Sequence, residues 1–504
     1  MDGLLREGAS SDDAHGLREQ QREAASWLDG FLAPGYGPHG AAKLVVAGPA
    51  GDGTWVRSPA LALREAAPGP LVAPYVDLAT RIHQAVGDGA TMGTLLAARL
   101  VARALREHSP PPAAWLDGYR LAWRQAKAWL SAHATHGSPA LALSHVAEPG
   151  WAEVAVAGLE ALVGPENHRA EIALDLDRID VRPEPGEAVP VWLDGLVLGS
   201  KDPPTRLTPP TNAGPRGILL LSAGWAGKPR ADGVQATVRT TAALHGLAGA
   251  EDRLRRRAAG HLARLGVGLL VCARSVDEGL RGLLTDAGIV VWTDAPRGAL
   301  RRLEACTGAT VVARLEDAVA ADVGAARLVR RPRRAGWLVQ GNGPSATFAV
   351  PAHSKPSGDA AIESGERLLR AAGAVLADAT VVPGGGRWQR GLASSLRKAA
   401  DLAPGKAPLA MQGAADAIGS LADDLMRNAG RDAVAGGTLP DADGVVDPAR
   451  IVRLAVDGAF ETAIAILRLD AAYAKRPSSG AGLRGGTGPS GSPKGMPGDL
   501  PPLM

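Results

Sequence analysis

The middle of the chain carries, at residues 262–317, the stretch LARLGVGLLVCARSVDEGLRGLLTDAGIVVWTDAPRGALRRLEACTGATVVARLED. Short apolar runs, GVGLLVCA, GIVVWT and ATVVAR, alternate there with segments that repeat apolar residues at helical spacing. Regular alternation of buried strands and helices is typical of an α/β domain. The stretch therefore predicts an α/β domain on a largely parallel sheet. Before it, the run RIDVRPEPGEAVPVWLDGLVLG alternates as strands do, and RGILLLSAG is a short apolar run typical of a buried strand.

Both flanks of this domain have helical patterns. Before it stand QREAASWLDGFLA, APYVDLATRIHQAV, TLLAARLVARALREH and WLDGYRLAWRQAKAWLSAHA, and after it stand DAAIESGERLLRAAGAVLA and LAMQGAADAIGSLADDLMRNAG. In each of them, apolar residues recur at the spacing of one helix face. We therefore expect the two helical ends to form one domain, into which the α/β part is inserted.

Composition narrows the class of protein. The chain has 504 residues and a net charge of only +3, a balance that does not favour nucleic acid or an acidic membrane surface as a partner. Its two cysteines, Cys272 and Cys306, form no CxxC pair or Cys/His cluster, so no structural zinc site is expected. The start, MDGLLREGASSDDAHG, lacks the apolar core of a signal peptide, and no run approaches the ~18 apolar residues of a membrane span. We expect a protein of the reduced cytoplasm.

Four glycine-marked places surround the inserted domain. They are GYGPHGAAKLVV (35–46), GDGATMGTLL (87–96), VVPGGG (381–386), and MRNAGRD with GVVDPARIV (426–432 and 444–452). In the second, glycines that let a backbone approach an anion stand at a helix start, with an aspartate suited to magnesium. An ordinary turn with Asp88 near a helix start explains the same ten residues, so this stretch alone leaves both interpretations open.

Taken in order, the four places resemble the chaperonins, and more closely their group II branch, the thermosome and eukaryotic cytosolic type. GYRLAWRQAKAWL (118–130), residues 262–317 and DGVVDPARIVRLAVDGAFETAIAILRLDAAYA (443–474) are also similar to that family. The resemblance covers nearly the whole chain. It implies a multidomain α and α/β chaperonin fold, with a helical equatorial domain, a small α+β intermediate domain and an inserted α/β apical domain.

The resemblance also implies domain boundaries. The equatorial domain is expected from residues 1–135 and 384–474, and the intermediate domain from residues 136–189 and 346–383. The apical domain is expected at residues 190–345, with a candidate helical protrusion at 229–257. Residues 475–504 are rich in Gly, Pro and Ser and are expected to be a disordered tail.

In the family, the first two turns hold nucleotide phosphates and magnesium, and the triple glycine and a late acidic residue border the base and ribose. The resemblance therefore implies ATP and Mg²⁺ as cofactors, with Asp88 as the magnesium ligand. The cofactor-binding residues that it implies are Gly37, Pro38, Gly40, Asp88, Gly89, Thr91, Gly384, Gly385, Gly386 and Asp447.

Two positions depart from the family pattern. Ser58 stands where the family has a carboxylate, and an ungapped count back from Gly384 places Arg367 where the family has the aspartate that orients the attacking water. Glu366 is the catalytic candidate only if the local alignment shifts by one residue, a rotation of about 100° on a helix. Positioning and activating water contribute roughly 10²–10⁴-fold to such reactions, so we expect slow or absent hydrolysis. Two alternatives stay open: Arg367 pairs with the phosphates, or the site is a folded relic.

The expected function is therefore that of a chaperonin-like ring subunit that binds ATP and assists the folding of non-native proteins, with weakened hydrolysis. The alternative is a nucleotide-binding but hydrolysis-deficient subunit, or an assembly scaffold, in a mixed ring. The implied partners are non-native client proteins and copies of the chain or related subunits, without nucleic acid or membrane. Whether the chain is an enzyme is left open.

Overall fold

The computed structural model divides the chain into two units, residues 1–17 with 470–504 and residues 18–469. In the first unit, strands β1 (Ser11–Asp12) and β17 (Ala472–Tyr473) pair antiparallel. The predicted tail at 475–504 and residues 229–239 of the predicted protrusion lie outside the described residues. The structure describes residues 11–12, 14–47, 52–56, 58–66, 69–106, 112–163, 178–185, 189–198, 215–225, 240–331, 337–431, 444–469 and 472–473.

Helices dominate both ends of the chain, and the strands concentrate in its middle. The helices are α1 (Ala14–Leu32), α2 (Pro59–Ala66), α3 (Ala73–Val86), α4 (Ala90–Ala104), α5 (Pro112–Ala132), α6 (Pro139–Ala142), α7 (Trp151–Val163), α8 (Thr241–Arg264), α9 (Glu278–Asp286), α10 (Arg297–Thr307), α11 (Lys355–Ala377), α12 (Arg387–Ala400), α13 (Ala407–Asn428) and α14 (Ala449–Leu467). The remaining strands are β2 (Lys43–Ala47), β3 (Asp52–Val56), β4 (Thr135–His136), β5 (Ile179–Glu184), β6 (Val191–Asp194), β7 (Leu196–Leu198), β8 (Arg216–Leu221), β9 (Val267–Cys272), β10 (Val290–Trp292), β11 (Val311–Val312), β12 (Gly324–Arg330), β13 (Trp337–Gln340), β14 (Ala346–Pro351), β15 (Thr380–Pro383) and β16 (Val446–Pro448).

The largest hydrophobic core joins helices from both ends of the chain. Helix α4 packs against α3, α13 and α14, and α12 packs against α13. Tyr119 of α5 ties three of these helices together, because its hydroxyl donates to the Leu100 carbonyl of α4 at 2.7 Å and its ring meets Phe460 of α14 edge-on. The two helical ends therefore bury one common core, as their patterns predicted.

The middle of the chain forms a seven-stranded sheet in the order β10-β9-β8-β12-β13-β7, with β11 also paired to β8. Strands β8, β9, β10 and β11 pair parallel, and separate cores cover the sheet, one under α8 and α9 and the other under α10. The expectation of a largely parallel sheet holds only for this half. Strands β12, β13 and β7 pair antiparallel, because short 3-10 turns rather than a crossover helix lead from β11 to β12.

Two smaller sheets have three strands each, and helix α11 connects a strand of the first, β14, to a strand of the second, β15. Strand β14 runs parallel to β5 and antiparallel to β6, and Phe348 on β14 is buried between Trp151 and Trp192. Strand β15 pairs with β4 and β16. Strands β2 and β3 form a separate hairpin. Of the helices that the structure describes, none is both long and apolar enough to cross a membrane.

Candidate functional site

Three helices, α4, α12 and α14, begin around one cleft of about 960 Å³, counted to its open mouth. The residues that precede them, Gly89, Gly386 and Pro448, offer no side-chain cap. Uncapped first turns leave backbone N–H groups without intrahelical partners and carry the positive end of the helix dipole. The cleft therefore suits an anionic ligand.

The turn between α3 and α4 brings Asp88 to this cleft. Its two glycines, Gly87 and Gly89, have φ angles of 71° and 83°, which side chains rarely adopt. A Cβ atom on Gly87 would lie 2.3 Å from the Arg367 carbonyl oxygen, and one on Gly89 would lie 2.8 Å from Ile451 Cγ2. Close packing by α11 and α14 thus requires glycine on both sides of Asp88. Asp88, Gly89 and Thr91 all line the cleft.

The turn after α1 forms a second wall. Asn428, at the end of α13, fixes this turn, because its Nδ2 donates at 2.8 Å to the carbonyls of both Ala33 and Tyr36. Gly37 and Pro38 line the cleft. Gly40 does not, because it packs against the backbone of the same turn, where an added Cβ would lie 2.3 Å from the Gly35 carbonyl carbon. Gly40 therefore shapes the turn.

The third wall comes from the ladder between β15 and β16, in which Val382 lies opposite Asp447. This register places the triple glycine that follows β15 beside the late aspartate. Gly385 and Asp447 line the cleft. Gly384 packs against the aspartate, since an added Cβ would lie 2.9 Å from Asp447 Oδ1, and Gly386 is the N-cap of α12.

Asp447 is held in place from α12. Trp388 Nε1 donates to Asp447 Oδ2 at 2.9 Å. Burial raises the pKa of Asp447, although the charge of His145 and this hydrogen bond act against the rise. One carboxylate oxygen is therefore engaged by the protein.

A histidine–aspartate pair lies in the lining of the cleft. His145 Nε2 lies 3.7 Å from Asp88 Oδ2. Burial acts to raise the pKa of Asp88, but the nearby His145 side chain and the charge of Arg367 outweigh it and hold that pKa at about 2. Burial likewise acts to lower the pKa of His145, but the Asp88 partner prevails and the net direction is upward.

Ser58 and Arg367, the two residues that depart from the family pattern, both line the cleft. Ser58 is buried there, with its Oγ 3.5 Å from Thr91 Oγ1. Arg367 also lines the cleft, whereas Glu366 is exposed and does not. Among the described lining residues, Asp88 and Asp447 are the only carboxylates.

The residues present fit a nucleotide with magnesium. The glycine turns and helix N-termini match a polyphosphate, and Leu425, Ile451 and Val452 give the cleft an apolar wall for a base. No cluster of three or more His, Cys, Asp or Glu side chains able to hold a metal ion occurs in the described part of the chain. Magnesium is commonly held through one or two carboxylates together with ligand phosphates and water, so a single carboxylate in the position of Asp88 is compatible with a magnesium site.

Sequence reasoning missed the partners that hold these residues. His145, Trp388 and Asn428 each act on a group far away in the chain. The stretch around His145, LALSHVAEPG, has no glycine beside the histidine and no ligand spacing that marks a site. Only the fold brings these side chains to the cleft.

The fold is that of the chaperonins. A crystal structure described as a group III chaperonin in the open state superposes with a TM-score of 0.72 at 20% identity, covering 91% of this chain and 99% of that one. A sequence model of the TCP-1/cpn60 chaperonin family matches residues 28–438. The chain therefore belongs to the TCP-1/cpn60 chaperonin family, and the predicted resemblance and multidomain α and α/β fold are confirmed.

Thermosome subunits are among its relatives. Thermosome subunit alpha of Saccharolobus solfataricus is 25% identical, with 99% of each chain covered. Thermosome subunit beta of Desulfurococcus mucosus is 27% identical over 82% of this chain and 86% of its own length. The chain is thus a chaperonin-type subunit that spans nearly the full length of these relatives.

Proposed function

We propose that the chain is a chaperonin ring subunit of the cytoplasm that binds ATP in the cleft and assists the folding of non-native proteins, with weakened hydrolysis. Family membership supports the ring, made of copies of the chain or related subunits, and the folding role. The observation that carries the nucleotide assignment is the meeting of two glycine turns, three helix N-termini and Asp88 in one cleft. The domain boundaries predicted from the sequence are part of this proposal.

The proposed site separates residues that touch the nucleotide from residues that shape the walls. Gly40, Gly384 and Gly386 shape the turns through close packing and capping. Asp88 is the proposed magnesium ligand, and a bound magnesium ion would neutralise phosphate charge. The proposed contacts to the nucleotide are Gly37, Pro38, Asp88, Gly89, Thr91, Gly385 and Asp447.

Weak hydrolysis follows from the charges of the cleft. A general base must lie within hydrogen-bond reach of the attacking water. His145 engages Asp88, Trp388 engages Asp447, and the cation Arg367 stands where the family has its water-orienting aspartate. The lining then binds and orients a nucleotide, but each of its two carboxylates already faces a protein partner and neither stands at the position of the family's water-orienting aspartate. Nucleotide binding would still bias the subunit between conformations, which needs only different affinities for them.

A direct test is Asp88→Asn, with Asp77→Asn as the matched control on the exposed face of α3. Asp88→Asn should weaken ATP binding in magnesium at least tenfold, because a charged ligand is worth about 1.5–3 kcal/mol. Asp77→Asn should bind as the wild type does. Equal affinity in all three proteins, measured by calorimetry, would remove Asp88 from the site.

The hydrolysis claim is tested by restoring the two carboxylates. Ser58→Asp combined with Arg367→Asp should raise ATP turnover by about 10²-fold or more if lost water positioning is the cause. Ser58→Asn combined with Arg367→Asn is the uncharged control and should not. A double-carboxylate variant that binds ATP but turns it over no faster than the wild type would contradict this explanation.

The alternative, a hydrolysis-deficient subunit or scaffold in a mixed ring, rests on the same Arg367 and Ser58. Purification from the native source decides between them. A mixed ring whose other subunits carry both carboxylates would favour the alternative. A ring of this chain alone, which turns over ATP and suppresses aggregation of an unfolded client, would favour the first proposal.

A further inference from the structure

Arg367 is placed differently from every other charged group of the cleft. It lies in the interior of helix α11, and it faces the cleft while its neighbour Glu366 faces solvent. Helix α11 is anchored there, because the Arg367 carbonyl packs against Gly87 of the Asp88 turn. The side chain is therefore aimed at the cleft by a rigid element.

The guanidinium of Arg367 is only partly satisfied within the described residues. One terminal nitrogen donates to the Val146 carbonyl, and the buried Nε has no hydrogen-bond partner. It forms no ion pair with a carboxylate of the described chain. A guanidinium offers five N–H donors, so one neutral carbonyl uses little of its capacity.

The charge of Arg367 acts on its surroundings. It lowers the pKa of Asp88 and acts against protonation of His145 and His83. Keeping a half-buried cation without a paired anion costs free energy, and an arriving anion removes that cost. A residue whose only task was to hold the Val146 carbonyl would need a donor but no positive charge.

We propose that Arg367 is a phosphate-binding residue of this cleft and that its guanidinium replaces a catalytic carboxylate with a cationic contact to the polyphosphate. The planar fork of arginine fits phosphate oxygens in a bidentate manner. This inference rests on the proposed nucleotide site and specifies its chemistry: the cleft holds its ligand through attraction between the guanidinium and the phosphate charge. A lysine at this position should supply the positive charge but not the two parallel N–H donors.

The test compares ATP with adenosine, which has no phosphate, by calorimetry on the full chain. Arg367→Gln should weaken ATP binding about 10- to 100-fold, the range expected for charge-assisted hydrogen bonds, and leave adenosine binding within about twofold. Arg367→Lys should recover part of the ATP affinity. Arg124→Gln, which removes the same charge from the exposed face of α5 outside the cleft lining, is the control and should bind ATP as the wild type does.

The possible outcomes distinguish a failure of this inference from a failure of the proposed nucleotide site. Equal ATP affinity of the wild type and Arg367→Gln would overturn the inference while leaving the nucleotide site standing. Equal losses for ATP and adenosine would also overturn it, because they would assign Arg367 a structural role through Val146. A wild-type protein that bound neither ligand would refute the nucleotide site itself.

Discussion

The pair His145 and Asp88 predicts a pH-dependent stability of the Asp88 turn in the ligand-free protein. The perturbation is His145→Gln, which removes the charge and keeps a polar side chain of similar reach. Asp88, with a pKa of about 2, stays ionised across the neutral range. The charge of the pair therefore depends on the protonation of His145 alone.

The magnitude follows from the geometry. Two unit charges about 4 Å apart interact by about 1 kcal/mol in water and about 4 kcal/mol at an effective dielectric constant of 20. The side chains of His145 and Asp88 are 26% and 29% exposed, which favours the lower part of that range. The fall in the pKa of Asp88 from 3.8 to about 2 corresponds to about 2.5 kcal/mol, a value that is net of the cost of burial and to which Arg367 also contributes. We therefore expect about 1–2 kcal/mol from His145.

The sign follows from the raised pKa of His145. Its contribution is complete below the ordinary histidine pKa of 6.5 and is lost as the pH rises through the raised value. The stability difference between wild type and His145→Gln should therefore be larger at about pH 6 than at about pH 9.

Hydrogen exchange measured on peptides that cover the Asp88 turn is the assay. At about pH 6, His145→Gln should lose about 5- to 30-fold of the protection of this turn, and less at about pH 9. His133→Gln, an exposed histidine stacked on Trp129, is the control and should not alter the turn. A loss of protection that is the same at both pH values would refute the charge pairing.

Three further changes test the packing of the fold. Gly89→Ala should lower the free energy of unfolding by roughly 1–3 kcal/mol in a denaturant titration, because its φ is positive and Ile451 blocks a Cβ, whereas Gly246→Ala, in open space within α8, should not lower it. Glu184→Gln should cost about 3–5 kcal/mol in thermal unfolding, because it breaks the bidentate pair with Arg331, in which both side chains are only 9% exposed; an unchanged melting temperature would contradict this. Tyr119→Phe should cost about 0.5–1.5 kcal/mol in the same denaturant titration, since it removes one buried hydrogen bond to α4.

The sequence was most informative where local periodicity decides structure. GVGLLVCA was predicted as a buried strand, and β9 lies there with nearly every side chain buried. The helical patterns at both ends were predicted for the same reason, because an apolar stripe needs a partner surface wherever it lies in the chain. The pairing direction of β12 and β13 was not predictable from such runs, since it depends on the connection between strands rather than on their composition.

The candidate site was likewise predictable from the sequence only in part. The glycine turns are visible in sequence because positive φ angles and close approach demand glycine at fixed spacings, as at Gly87 and Gly89. The electrostatic partners are not visible, because His145 reaches Asp88 only through the packing of α6 and α11 around the Asp88 turn. Counting back from Gly384 without a gap did identify Arg367 as a cleft residue. Within a helix, the residue number fixes the direction in which each side chain points, so a shift of one residue would have turned it away from the cleft.

The measurement that tests the central claim most directly is ATP binding and ATP turnover in one preparation of the full chain, beside the variant that carries Ser58→Asp and Arg367→Asp. We predict saturable ATP binding by the wild type, with turnover about 10²-fold or more below that of the variant. A wild-type chain that binds no ATP, or one that already turns it over as fast as the variant, would contradict the claim that this cleft holds a nucleotide which it hydrolyses poorly.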